Sequence, residues 1–84
     1  MLNKRQLQTL RDTKPTTGNR IRIAKQLAGT TQVEIAKATG YPQPYVSAVE
    51  AGDYAKIPLE TARRFAQFFG ATIEDLFPAQ EVLS

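Results

Sequence analysis

The side chains of this 84-residue chain argue against catalysis before any fold is considered. There is no His and no Cys, which removes the usual general base, the commonest metal ligand, the thiolate nucleophile and the disulfide. Eight acids remain for acid–base work, but a chain of this size leaves no room for a wide substrate cleft. Neither enzyme activity, nor a metal, nor a cofactor is expected. What the chain does offer is amides and cations. Gln43 carries donors and an acceptor on one planar group, the combination needed for a two-point hydrogen bond to another planar edge. The cations are unevenly spread. Residues 1–25 hold Lys4, Arg5, Arg11, Lys14, Arg20, Arg22 and Lys25 against Asp12 alone, a net of +6. Residues 26–84 hold Lys37, Lys56, Arg63 and Arg64 against seven acids, a net of −3. Such a split suits a polyanion-facing N-terminal part on a near-neutral body. The plainer alternative is that these cations solvate an exposed helix and arm.

These residues need rigid elements to hold them, and the punctuation of the chain marks where the elements lie. Asn19 to Ala28 has Ile21, Ala24, Leu27 and Ala28 at helical spacing, with Asn19 as N-cap and Gly29 as the stop. Thr31-Gln32-Val33-Glu34 has capping-box spacing, which predicts a helix from Gln32 to a C′ glycine at Gly40. Pro42 and Pro44 cannot sit inside a helix, and the residue before a proline avoids helical backbone. This predicts Gln43 as N-cap and Pro44 as first residue of a helix ending near Ala51, with Val46 and Val49 facing the core. Pro58 opens a helix whose stripe is Leu59, Ala62, Phe65, Ala66 and Phe69. Thr72 opens a last short one that stops before Pro78, anchored by Ile73, Leu76 and Phe77. The predicted fold is all-α, a compact bundle of five short helices with no strand. Residues 1–17 are expected to be a flexible basic arm or short helix, leucine-punctuated and ending in a linker-like Thr13–Gly18. Residues 18–78 form the domain, and 79–84 a tail without clear structure.

Gly40-Tyr41-Pro42 is a tight, glycine-led turn between two short helices, the arrangement of a helix-turn-helix. Thr31-Gln32-Val33-Glu34-Ile35-Ala36-Lys37-Ala38-Thr39-Gly40 resembles the T-Q-x-E-[LI]-A-x-x-x-G block of the phage-repressor-like, Cro/XRE-type helix-turn-helix family. Val46-Ser47-Ala48-Val49-Glu50-Ala51-Gly52 is similar to its I-S-x-[IW]-E-x-G block, and Thr72-Ile73-Glu74-Asp75-Leu76-Phe77 to its closing S-[LV]-x-[DE]-L-F. Asn19-Arg20-Ile21-Arg22 fits the family's opening. The blocks stand in order over residues 18–78. Thr30 and Thr39 replace apolar family residues, and the proline pair around Gln43 replaces the usual Ser or Thr cap.

The resemblance implies a lambda-repressor-like fold and a sequence-specific, DNA-binding transcriptional regulator. An α-helix fits the major groove, and its first turns reach base edges. On that expectation Gln43, Pro44, Tyr45, Ser47 and Ala48 contact bases, Gln43 by a bidentate pair to adenine, its bland alternative being a mere N-cap. Thr31, Gln32, Tyr54 and Lys56 contact phosphates, although Thr31 is also the cap and Tyr54 equally suits the core. Lys4, Arg5, Arg11 and Lys14 would reach DNA from the arm. The family's ion pair between the first helix and the recognition helix maps to Lys25 and Glu50, while Arg63 and Arg64 read as solvent residues. One module reads few base pairs, so a homodimer on a palindromic operator is expected, with Phe77, Val82 and Leu83 as dimer residues. The competing reading is an antitoxin whose residues 1–17 fold on a toxin. No apolar run approaches the ~18 residues of a membrane span, and a cytoplasmic, prokaryotic or phage-encoded, nucleoid-associated protein is expected.

Overall fold

Asn3 opens a helix whose existence the sequence left undecided. Its side chain accepts from the Gln6 amide at 2.8 Å while the Gln6 side chain accepts from the Asn3 amide at 2.9 Å, a complete capping box. The computed structural model describes residues 1–14 and 19–83. Over these residues the chain is all-α, with six α-helices in place of the expected five: α1 (Lys4–Asp12), α2 (Ile21–Ala28), α3 (Gln32–Thr39), α4 (Gln43–Ala51), α5 (Leu59–Phe69) and α6 (Ile73–Leu76). Most of the linker reading at Thr13–Gly18 lies outside the described residues.

A nine-residue helix is marginal in water alone, so α1 owes its order to its contacts. Leu10 is fully buried, Leu2 nearly so, and the Leu2 amide donates to the Phe69 carbonyl at 2.9 Å. Arg11 grips Asp75 of α6 through Nε at 2.7 Å and Nη2 at 3.2 Å. Gln6 Nε2 donates to the Leu27 carbonyl at the end of α2. Of the two expected forms of this segment the structure has the helix, and it is docked. Lys4, Arg5 and Lys14 remain exposed, but Arg11 is committed to Asp75, so the picture of four cations on a reaching arm is corrected. The same docking takes away the ground for treating residues 4–12 as a segment that waits for a toxin to fold on.

The C-terminal tail is also corrected. A 3-10 turn (Ala79–Glu81) leads into β2 (Val82–Leu83), which pairs in parallel with β1 (Ile57–Pro58), Ile57 opposite Val82 and Pro58 opposite Leu83. A two-residue ladder has no periodicity to read in a sequence. Its effect is to fold the tail back over the end of the α4–α5 loop, with Val82 packed on the core. That core is built on Phe65, Phe69 and Phe77, all fully buried, with Phe65 and Phe77 edge to face at 6.2 Å. Phe77 is therefore no dimer residue: its ring closes the monomer. Leu83, half exposed at 50%, is the member of the expected dimer trio that faces outward.

Candidate nucleic-acid interface

The turn between α3 and α4 is made by a residue only glycine fills easily. Gly40 has φ 81°, the left-handed region that side chains avoid. Thr39, in a position expected to be apolar, is buried and satisfies its hydroxyl by donating to the Ile35 carbonyl at 2.7 Å. The freed carbonyl of Thr39 itself accepts from Arg64 Nη1 at 3.0 Å, and the Arg64 guanidinium lies 5.1 Å from the centre of the Tyr41 ring. Arg64 is thus no plain solvent residue, though it also pairs with Glu60 at 3.1 Å.

The start of α4 differs from expectation by one residue. Pro42, with extended backbone, is the N-cap, so Gln43 and Pro44 are the first two helical residues. Proline is tolerated there because an amide in the first turn would have no intrahelical partner. Gln43 is therefore not the cap. Gln43 and Pro44 are exposed, while Ser47 and Ala48 are half-buried further along the helix. Val46 and Val49 are fully buried. Tyr45 turns inward: its hydroxyl lies 3.0 Å from Thr61 Oγ1 of α5, and its ring packs on Tyr41 at 5.0 Å. Tyr45, expected among the base-contacting residues, thus has its hydroxyl engaged inside the protein.

Behind this surface lies a buried carboxylate. Glu50, 4% exposed, accepts from Lys25 Nζ at 3.0 Å on each oxygen and from Gln32 Nε2 at 2.9 Å, with Arg22 Nε at 3.5 Å. Burial pushes the Glu50 carboxyl up, but the hydrogen bonds from Gln32 and Lys25, with Arg22 beside them, outweigh it and hold it below the usual carboxylate range. The cluster ties α2, α3 and α4 together at one point. Gln32 is consequently held by Glu50 rather than reaching outward for a phosphate. Thr31 caps α3, accepting from the Glu34 amide at 3.2 Å. Tyr54 is exposed, its ring 5.6 Å from that of Tyr45. Lys56 donates to the Gln80 carbonyl, which draws it toward the tail.

Three residues shape this surface in ways the sequence did not signal. Asn19, expected as the N-cap of α2, is corrected to the residue before it, because Arg20 is the N-cap. Asn19 is buried, accepts from the Ile21 amide and donates through Nδ2 to the Val49 carbonyl, both at 3.0 Å, so it bridges α2 to α4. Thr61 and Arg64 act on the turn from α5, and nothing in their spacing signals that contact. Among the described residues no group of His, Cys, Asp or Glu is arranged to hold a metal, and no helix is long and apolar enough to cross a membrane.

Residues 21–76, two thirds of the chain, match the helix-turn-helix family. This chain belongs to that family. In helix-turn-helix terms α3 and α4 are the paired helices, Gly40 to Pro42 the turn, and α1 an element outside the matched region. The chain is 36% identical over 59 residues to an uncharacterized HTH-type transcriptional regulator of Methanocaldococcus jannaschii, covering 70% of this chain and 88% of that protein. No solved structure matches the chain.

Proposed function

We propose that this helix-turn-helix protein is a DNA-binding transcriptional regulator that reads a palindromic operator in the major groove as a small dimeric repressor. The observation that carries the reading is the exposed pair Gln43 and Pro44 in the first turn of α4, directly after the turn of the motif. A recognition helix meets base edges with its N-terminal residues, and a glutamine there suits adenine. The name of the Methanocaldococcus relative supports the same class. Dimerisation follows from specificity: one module covers too few base pairs, and two half-sites lie about 34–36 Å apart. The exposed Leu83 and Leu59 favour the β1–β2 end for that contact.

Selection of bound sequences from a random duplex pool tests the reading. Gln43→Ala should cost roughly 1–3 kcal/mol on the selected duplex, concentrated at one base pair per half-site. A uniform loss across sequences would assign Gln43 to the phosphate backbone instead. Sedimentation that finds only monomer, with and without the selected DNA, would remove the dimer.

A further inference from the structure

We propose that Thr61, on α5 and away from the exposed face of α4, is a positioning residue for sequence reading: it fixes the orientation in which α4 presents Gln43 and Pro44. The inference rests on the function proposed above and adds a residue outside the recognition helix. Its starting point is a local deficiency. The N-cap of α4 is a proline and supplies no side-chain hydrogen bond, so the first turn has no capping side chain of its own to set its direction.

The tertiary structure supplies what the cap does not. Tyr41, in the turn, and Tyr45, the third residue of α4, both bring their hydroxyls to Thr61 Oγ1, at 3.1 and 3.0 Å. Thr61 is 3% exposed. One hydroxyl has a proton to donate and two lone pairs, so it serves two partners at once. The two rings stack edge to face at 5.0 Å, and Arg64, three residues along α5, covers Tyr41 while holding the last carbonyl of α3. The segment Tyr41-Pro42-Gln43-Pro44-Tyr45 is thus pinned at both ends to one buried atom. Two prolines restrict the backbone between the pins. The exposed Gln43 and Pro44 sit inside this bracket. Base reading requires such groups to be held to about half an ångström by residues packed behind them.

The test uses a feature of the composition: the chain has three tyrosines and no tryptophan, and Tyr41, Tyr45 and Tyr54 all lie in this one cluster. The tyrosine band in near-ultraviolet circular dichroism therefore reports the bracket directly. Thr61→Val keeps the shape and removes both hydrogen bonds; Thr61→Ser keeps the hydroxyl; Tyr45→Phe removes one pin and leaves the ring. Affinities are measured for the best duplex recovered from a random pool and for a scrambled duplex of equal composition. Thr61→Val should change the tyrosine band, weaken the selected duplex by about five- to tenfold, and leave the scrambled duplex within about twofold. Thr61→Ser should restore both band and preference. If Thr61→Val does not fold, Tyr45→Phe carries the same expectation at smaller size. An altered tyrosine band with an unchanged ratio of selected to scrambled binding overturns the positioning role. A wild-type chain that prefers no sequence overturns the function reading and this role with it, while the tyrosine response to Thr61→Val still reports whether the bracket exists.

Discussion

Replacing Glu50 by Gln removes one charge from a site with almost no access to water. Lys25 Nζ and Gln32 Nε2 both lie within 3.0 Å of the carboxylate, and the amide of Gln keeps the volume but accepts at one atom only. Removing one partner from a buried pair costs about 3–5 kcal/mol when the other stays buried. Here the Lys25 side chain is 23% exposed and that of Arg22 is 59% exposed, so both cations can turn toward solvent. The expected cost is therefore lower, about 2–3 kcal/mol, or a fall in Tm of roughly 10–20 °C for a domain of this size. Urea titration followed by circular dichroism at neutral pH measures it, and the deficit should persist in high salt because a buried pair is weakly screened. The pH dependence fixes the cause. The folded Glu50 pKa lies below its ordinary value of 4.5, so the ionised group stabilises the fold above that value. Its contribution is lost as pH falls through the folded pKa. The wild-type and Glu50→Gln stability curves should therefore converge in acid. Asp75, whose carboxyl is also held low by the hydrogen bond from Arg11 despite its burial, contributes alike to both proteins and cancels in the difference. A deficit under about 0.5 kcal/mol at neutral pH, or a gap that stays open in acid, would refute the argument.

Two further substitutions test the fold. Leu10→Ala should destabilise by about 2–4 kcal/mol in the same urea titration, the cost of a cavity in a closed core; a free arm would show no change. Thr30→Val should stabilise by about 1 kcal/mol, because Thr30 Oγ1 is buried with no hydrogen-bond partner among the described residues and valine keeps the shape. A loss of stability there would mean that the hydroxyl is satisfied.

How much of this was legible depended on whether the determinant was local. The ends of α2, α3, α4 and α5 fall at Gly29, Gly40, Gly52 and Gly70, and a glycine stop announces itself in sequence. The spacing of Val46 and Val49 likewise gave the buried side of α4. The first residue of α4 was misplaced because two prolines competed for the same signal, and the structure resolves them as N-cap and second residue. α1 was left open because its order comes from Phe69 and Asp75, far along the chain. The inward turn of Tyr45, the hold on Gln32 and the contacts of Thr61 and Arg64 are all tertiary. Each residue type was compatible with an exposed role, and only its partner decides otherwise.

The docking of α1 has a consequence in time. Its partners, the Phe69 carbonyl and the Asp75 carboxylate, lie far along the chain, Asp75 64 residues beyond Arg11, so α1 leaves the ribosome well before them. A helix of nine residues is marginal alone, so α1 gains its docked order only once α5 and α6 have emerged. The closing contacts, Leu2 to Phe69 and Arg11 to Asp75, then join the α1 segment to both of these helices. A chain interrupted before residue 75 lacks the partner of Arg11 and is left with an unsealed core. The core of this protein therefore closes late in synthesis, when α5 and α6 are available to α1.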